Sequence, residues 1–278
     1  RKFHTMTNLF KYIVYTTILI IPLRLDAQKS KITLDDVFNK KIFTHKKIST
    51  FNWMNNSKYY TALRDNKIVK FITNSGEEEK ILFDGDKLDL KIEDYSLSGD
   101  EKKLLVMTEK EKIFRRSFKA EYFVYNIESE KSLKLSEKGP QQYATFSPDG
   151  SKVAFVRNNN LFYVDLKENK EIQITNTGDY NKIINGTTDW VYEEEFAFVK
   201  AFEWSPECDK IAYYVFDESK VREYQMQVWD SLYPGYLSYK YPKAGEANSK
   251  VSLKIYHLDD EKSVDINLGT QYDVYIPR

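Results

Sequence analysis

Cysteine, histidine, glycine and proline are all scarce in this sequence of 278 residues. The single cysteine, Cys208, excludes an intrachain disulfide, and we interpret it as a small buried hydrophobic residue. The three histidines, His4, His45 and His257, lie far apart, and no Cys/His cluster has the spacing of metal ligands. The 10 glycines and 7 prolines are too few for a collagen-like or linker-like chain. We therefore expect a globular protein that contains no metal site and no cofactor.

Net charge and long apolar runs are also absent. The 42 basic and 42 acidic side chains cancel, so no overall charge attracts the chain to nucleic acid or to an anionic membrane. An uncharged apolar run covers only the 12 residues 12–23, whereas a membrane-spanning helix needs about 20.

The flanks of this apolar run are typical of a signal peptide. Met6 fits a start residue, Lys11 supplies the positive charge, and cleavage is expected after Ala27. We predict that residues 1–27 are a signal peptide with a few upstream residues, and that residues 28–278 form the mature domain. The protein would then be exported to the periplasm or the extracellular space.

Aromatic residues are abundant, at 15% of the chain, and such side chains suit half-buried sheet surfaces. Residues 152–175 contain three short β-rich runs separated by two polar turns, which is the pattern of an antiparallel meander. A marker recurs ahead of such units: a large apolar residue, a turn rich in Ser, Pro, Gly, Asp or Asn, then Lys and a strand. It begins at Trp53, Leu97, Phe146 and Trp204, with spacings of 44, 49 and 58 residues.

This spacing is typical of a propeller blade, because four short strands need about 40–50 residues. In the turn at residues 147–150, the proline presets the first central position, and Asp and Gly complete the reversal. We predict an all-β fold, a partial β-propeller. A β-sandwich also has short strands at regular spacing, but it lacks a repeated marker of this kind.

Two insertions interrupt the repeats, at residues 178–198 and 217–250, and long insertions in compact domains are often functional. The first contains Glu193, Glu194 and Glu195, flanked by aromatic residues. Three adjacent carboxylates in an apolar frame are costly unless a cation, such as a substrate ammonium group, lies among them. The alternative interpretation is a solvated acidic run.

Arginine is rare, and two of the eight arginines are adjacent, Arg115 and Arg116. A guanidinium group suits a carbonyl or carboxylate, and the alternative is an ordinary surface ion pair. The sequence contains neither a G-x-S-x-G nucleophile motif nor the alternating βαβ pattern of an α/β-hydrolase. We therefore place no catalytic residue in this chain.

Four segments resemble dipeptidyl peptidase IV and its bacterial relatives. They are DYSLSGD at 94–100, RRSFKAEYFVYNIE at 115–128, INGTTDWVYEEEF at 184–196 and YPKAGEAN at 241–248. The resemblance covers about residues 31–278, and DWVYEEE and YPKAG are its specific motifs. The sequence departs from the family pattern in three ways: Arg116 stands where relatives often have His, the turn after Leu97 lacks Pro, and the turn after Trp204 has Glu-Cys for Asp-Gly.

The resemblance implies a fold, an activity and a site. The chain would hold about the first half of an eight-bladed propeller, and the rest of the propeller and an α/β-hydrolase domain with the catalytic Ser, Asp and His would lie beyond Arg278. Such secreted serine peptidases release N-terminal dipeptides whose second residue is Pro or Ala. By the resemblance, Glu194 and Glu195 hold the substrate α-ammonium group, and Arg115 holds a substrate carbonyl oxygen. The fragment alone would be inactive.

The second insertion resembles the arm through which family members contact a second subunit. We expect a homodimer of the full-length protein, with exposed aromatic residues at the interface. The candidate interface residues are Trp229, Tyr233, Tyr236 and Tyr239. The alternative is a mobile loop.

Three other functions stay open at this point. The chain could belong to a non-catalytic exported propeller that binds peptides or a protein partner. It could come from a family member that kept the fold and lost the catalytic triad, although an amine-binding motif is of little use without cleavage. It could also serve assembly alone, through the arm.

Overall fold

The computed structural model describes residues 31–44, 50–269 and 274–277. The chain divides into two compact units, Arg1–Lys47 and Ile48–Arg278. The predicted signal peptide, residues 1–27, lies outside the described residues. In the described part of the chain, no helix is long and apolar enough to cross a membrane.

The described part of the first unit contains a short helix, α1 (Leu34–Phe38), that buries no side chain. Thr33 caps it: the Thr33 hydroxyl accepts a hydrogen bond from the Asp36 amide, and the Asp36 carboxylate accepts one from the Thr33 amide. This reciprocal capping satisfies two of the amides that the start of a helix leaves without partners.

The second unit consists of antiparallel sheets, which we call blades 1 to 4. Blades 1 to 3 are four-stranded meanders, in which each strand pairs with the next strand along the chain. Blade 1 contains β1 (Phe51–Trp53), β2 (Tyr59–Arg64), β3 (Lys67–Ile72) and β4 (Glu78–Asp84). A 3₁₀ turn, Gly85–Leu88, leads to blade 2, which contains β5 (Asp94–Leu97), β6 (Lys103–Lys112), β7 (Phe118–Asn126) and β8 (Lys131–Lys134). Blade 3 contains β9 (Gln142–Phe146), β10 (Lys152–Arg157), β11 (Asn160–Asp165) and β12 (Lys170–Gln173).

Blade 4 carries both insertions. Its strands are β13 (Ile183–Asn185), β14 (Phe202–Trp204), β15 (Lys210–Asp217), β18 (Lys250–His257) and β19 (Lys262–Asp265). Both β13 and β14 pair with β15, and helix α2 (Trp190–Glu195) lies between them in sequence. The second insertion forms a separate hairpin of β16 (Glu223–Val228) and β17 (Gly235–Lys240), which we call the arm.

The predicted markers end the strands β1, β5, β9 and β14, and each is followed by a turn. We call these turns 1 to 4, at residues 54–57, 98–101, 147–150 and 205–208. In turns 2 to 4 the serine hydroxyl accepts a hydrogen bond from the amide of the lysine five residues later, at 2.9, 2.9 and 3.0 Å. The same hydroxyl donates to a nearby aspartate. The Ser, Asp and Lys of the marker are therefore a local hydrogen-bonding unit.

Turns of successive blades contact one another. The Asn55 side-chain amide donates to the Gly99 carbonyl oxygen at 2.9 Å, which joins turn 1 to turn 2. The Asp149 amide donates to the Cys208 sulfur at 3.4 Å, which joins turn 3 to turn 4. Cys208 is buried, as its sequence context suggested, and its burial raises the pKa of its thiol. These contacts link blade 1 to blade 2 and blade 3 to blade 4.

The core lies between consecutive blades, because the central strands are buried on both faces. In β6, Leu104 and Val106 pack toward blade 1, whereas Leu105 and Met107 pack toward blade 3. Alternate side chains of a strand point to opposite faces, so one strand serves two interfaces. The same alternation in β10 sends one set of side chains toward blade 2 and the other toward blade 4.

This serial packing of four sheets confirms the predicted all-β, partial propeller architecture. A two-layer sandwich would bury one face of each sheet, whereas blades 2 and 3 are each covered on both faces.

Candidate functional site

The DWVYEEE segment forms the short helix α2, and Asp189 fixes where it starts. The Asp189 carboxylate accepts a hydrogen bond from the Tyr192 amide at 2.9 Å and another from the Ser249 hydroxyl at 2.7 Å. Burial raises the pKa of Asp189. Because Ser249 immediately follows the YPKAGEAN segment, this contact joins two segments that were separate motifs in the sequence.

Glu193 is buried, with 2% of its surface exposed, and it holds the loop that carries the paired arginines. Its Oε1 atom accepts hydrogen bonds from the Arg116 amide at 2.7 Å and the Ser117 amide at 2.8 Å. The Ser117 hydroxyl in turn accepts a hydrogen bond from the Phe114 amide at 3.1 Å. Glu193 therefore finds its partners in backbone amides and has no need of a bound cation.

Glu194 lies beside Arg115. The Arg115 Nε atom is 3.4 Å from Glu194 Oε2, and 70% of the Arg115 side chain and 16% of the Glu194 side chain are exposed. Glu195 is exposed, and its carboxylate forms no ion pair with any described residue. Of the two groups expected to bind an ammonium, Glu194 thus lies beside the guanidinium of Arg115, and Glu195 is the next residue of α2 and is exposed to solvent.

The three glutamates have different surroundings because successive residues of an α-helix are rotated by about 100°. The sequence suggested three carboxylates around one cation. The structure separates Glu193, which is buried and bound to amides, from the neighbouring pair. Sequence reasoning missed this anchoring role of Glu193 and the capping role of Asp189. An aspartate directly before an apolar run that is followed by glutamates is a recognised helix-start signal and would have identified the cap.

An aromatic cluster joins the base of the arm to the site. We call residues 113–117, between β6 and β7, the arginine loop. The Tyr239 ring centroid lies 5.6 Å from that of Phe114 in this loop and 6.2 Å from that of Trp190 in α2. Trp190 also meets Tyr241 edge to face at 4.6 Å. The helix, the arginine loop and the arm base are therefore packed as one assembly.

The proposed interface residues of the arm do not all share one environment. Trp229, Tyr233 and Tyr236 are 71%, 80% and 62% exposed, which agrees with the exposure expected of them. The expectation of exposure was wrong for Tyr239, which is only 8% exposed. Its position at the end of β17 turns it inward onto Phe114 and Trp190, so it is part of the arm base and not of the exposed tip.

Among the residues that the structure describes, no group of three or more His, Cys, Asp or Glu side chains is placed to hold a metal ion. The site consists of carboxylates and a guanidinium on a helix and a loop, and such groups recognise an amine and a carbonyl or carboxylate.

Fold and site together define a propeller domain that carries a charged site on an inserted helix. The model of the family "Dipeptidyl peptidase IV (DPP IV) N-terminal region" matches residues 98–278. A crystal structure of Porphyromonas gingivalis dipeptidyl peptidase 4 superposes with a TM-score of 0.83 and 36% sequence identity, over 89% of this chain and 36% of that one. The chain belongs to the dipeptidyl peptidase IV family.

Curated relatives are similar to this chain over most of its length, and their names describe different activities. "Prolyl endopeptidase FAP" of Bos taurus is 34% identical over 81% of this chain, and "Dipeptidyl peptidase 4" of Felis catus is 34% identical over 77%. "Inactive dipeptidyl peptidase 10" of Mus musculus is 28% identical over 88%. The chain spans 30%, 29% and 32% of these proteins, so it corresponds to about a third of each.

Proposed function

We propose that this chain is the substrate-binding propeller portion of an exported serine-type dipeptidyl aminopeptidase that releases X-Pro and X-Ala dipeptides. The observation that carries the proposal is the position of Arg115 beside Glu194, which is followed along α2 by the exposed Glu195. Glu193 maintains this arrangement by holding the backbone of the arginine loop. The arrangement lies within the residues that match the family model.

Substrate binding would exchange one ion pair for another. The α-ammonium group of a peptide has three N–H donors. The carboxylates of Glu194 and Glu195, which are adjacent residues of α2, can accept hydrogen bonds from them. An ammonium that occupies Glu194 competes with Arg115 for its carboxylate. The released guanidinium, which is largely exposed, would then donate to a carbonyl oxygen of the bound dipeptide.

The paired glutamates would also set the cleavage position. A peptide whose amino group is fixed at α2 presents its second residue at a constant distance from the nucleophile, which we place in the hydrolase domain outside this chain. The propeller would thus select a free N-terminus, and the hydrolase domain would perform acyl transfer by a serine nucleophile and an oxyanion hole. This selection favours dipeptide release over internal cleavage.

The test is the Glu195→Ala variant in the longest reading frame that contains this chain. The loss of one partner of an ion pair that the bound peptide shields from water should cost ~3–5 kcal/mol, or roughly 10²–10⁴ in kcat/KM for Gly-Pro-anilide. Glu168→Ala, an exposed glutamate in the turn between β11 and β12, is the matched control and should leave the rate unchanged. A loss of less than tenfold at Glu195 would refute the assigned role.

A second candidate function is a non-catalytic binding propeller. It is favoured by the similarity to "Inactive dipeptidyl peptidase 10", since a relative with that name shows that the fold can persist without the activity. The same protein sample distinguishes the two. Peptide binding that depends on Glu194 and is accompanied by no hydrolysis of Gly-Pro-anilide would establish the binding protein.

We also propose export of the protein, with residues 1–27 as the leader, and dimerisation of the full-length protein through the arm. Support for export comes from the charge and apolar pattern of the leader sequence. Support for dimerisation comes from the exposed aromatic side chains of the arm.

A further inference from the structure

A cavity lies against helix α2, at the base of the arm. Its volume is about 670 Å³, and its lining includes Phe114, Trp190, Glu193, Glu218 and Tyr239. The proposed peptide-binding residues Arg115, Glu194 and Glu195 do not line it. A ligand site in this cavity would therefore use residues other than those of the proposed peptide site, and its test does not depend on the proposed function.

Glu218 is the unusual group in this cavity. It follows the last residue of β15, and only 5% of its surface is exposed. Its backbone is fixed, because the Glu218 amide donates to the Lys182 carbonyl at 2.8 Å and its carbonyl accepts from the Val221 amide at 3.0 Å. Its carboxylate, however, accepts no hydrogen bond and forms no ion pair with the residues that the structure describes. A mostly buried carboxylate that has no protein partner and lines a cavity can accept hydrogen bonds from a ligand in that cavity.

The buried charged groups around the cavity leave this carboxylate without a counter-ion. Asp189 and Glu193 also line the cavity and accept hydrogen bonds only from neutral donors. Lys240 is the nearby cation, but its ammonium donates to the Val221 carbonyl at 2.8 Å and forms no ion pair with Glu218. Buried carboxyl groups therefore outnumber buried cationic groups on the cavity wall.

The charged groups at the rim of the cavity do not change this balance. Lys119 is paired with Glu111 at 3.1 Å, and Asp179 is paired with Lys182 at 2.5 Å. Lys112, the remaining cation of the lining, is exposed to solvent. Water therefore screens its charge from the buried carboxylates.

Part of the cavity wall is aromatic. Phe114 and Trp190 each pack against Tyr239, with ring centroids 5.6 and 6.2 Å apart, and all three line the cavity. Aromatic faces attract organic cations and stabilise their apolar parts. A cavity of this volume is also large for a bare metal ion and suits a small organic ligand.

We propose that this cavity is a binding site for a small alkylammonium ligand, with Glu218 as its counter-ion and the rings of Phe114, Trp190 and Tyr239 around its alkyl part. The bound ammonium would supply the hydrogen-bond donors that the Glu218 carboxylate lacks. The site is distinct from the paired glutamates on α2, which reach solvent beside Arg115.

The ionisation of Glu218 makes the proposal testable by pH. Burial raises the pKa of Glu218 to about 7, with a further rise from Asp189 and Asp217 and an opposing effect from Lys240. The carboxyl group is thus neutral well below pH 7 and ionised above it. An alkylammonium keeps its charge over this range, so binding should strengthen as the pH rises.

The experiment uses n-butylammonium as the probe, followed by ligand-observed NMR on the longest reading frame that contains this chain. All measurements are made on the Glu195→Gln variant, so that the proposed peptide site is silenced. We expect binding at pH 8 that weakens at least tenfold at pH 5.5, and that is weakened at least tenfold at pH 8 by adding Glu218→Gln. n-Butanol, which has no charge, should not bind.

Other results would overturn the proposal. They are the absence of n-butylammonium binding, binding that is the same at both pH values, or binding that survives Glu218→Gln. The pH series needs no substitution at residue 218, so it remains decisive even if that variant were to fold poorly. Since the readout is binding and not hydrolysis, a negative result leaves the proposed peptidase function unaffected.

Discussion

At the scale of single residues, the fourth position of each repeated turn has a left-handed backbone. Ser57, Glu101, Gly150 and Cys208 have φ values of 56°, 57°, 68° and 61°. Only one of the four is glycine, the residue that adopts this conformation without steric cost. The turns therefore share one geometry although their sequences differ, and three of them carry a side chain where it is unfavourable.

Ser57→Gly should raise the free energy of unfolding by about 0.5–1 kcal/mol. The left-handed conformation costs an L-residue ~1–2 kcal/mol, and the greater flexibility of glycine in the unfolded chain offsets part of the gain. Ser57 is exposed, so little packing is lost. Urea unfolding measures the change.

Gly150→Ala is the control for this prediction, and we expect it to change the stability in the opposite direction. A Cβ atom at residue 150 would lie 2.8 Å from the Ser98 Cβ, and the φ of 68° is unfavourable for alanine. This variant should be less stable than the parent. If Ser57→Gly has no effect or destabilises the protein, the left-handed backbone of Ser57 carries no steric penalty.

The missing proline of turn 2 also has an explanation at this scale. Gly99 occupies the position that Pro148 occupies in turn 3, and a Cβ on Gly99 would lie only 2.1 Å from the Pro148 carbonyl oxygen. The two turns approach each other too closely for a side chain at residue 99. The departure from the family pattern thus follows from a contact between blades.

At the scale of elements, α2 and the arginine loop depend on each other. Glu193→Ala removes the acceptor of two buried or half-buried amides, and each unsatisfied donor costs about 1–3 kcal/mol. We expect the variant to lose roughly 2–4 kcal/mol of stability. We also expect it to raise KM for Gly-Pro-anilide severalfold, because Arg115 is no longer held beside Glu194.

Glu193→Gln is the matched variant, since its side-chain carbonyl can still accept from the Arg116 and Ser117 amides. It should recover most of the stability and the KM in urea unfolding and steady-state kinetics. Equal losses in both variants would show that the negative charge of Glu193 matters more than its role as an acceptor.

At the scale of the whole molecule, the blades share cores with their neighbours, whereas the arm has an exposed aromatic tip. We predict that the double variant Trp229→Ser with Tyr233→Ser shifts the full-length protein from dimer to monomer in sedimentation velocity. The two side chains are 71% and 80% exposed, so their loss should leave the fold intact.

The control for the arm prediction is an exposed tryptophan elsewhere. Trp53, in β1 of blade 1, is 62% exposed, and Trp53→Ser should leave the oligomeric state unchanged. A double arm variant that sediments like the parent protein would remove the arm from the interface.

The features that could be predicted are the local ones. The spacing of Trp53, Leu97, Phe146 and Trp204 was sufficient to place four turns and four blades, and in turns 2 to 4 the marker is a self-contained hydrogen-bonding unit. The proximity of Arg115 and Glu194 came from the family resemblance, since the residues alone left a salt bridge and a solvated run open. The structure brings this pair together, and its role in binding a substrate stays a prediction.

The β-rich composition, the repeat length and the turn chemistry could all be read from the amino-acid sequence. Those properties rest on interactions within a few residues, which strand periodicity and side-chain type report directly. The anchoring role of Glu193, the burial of Tyr239 and the unpartnered carboxylate of Glu218 became visible only in the folded chain. Each of them depends on contacts between segments far apart in the chain, whose distances no local pattern encodes.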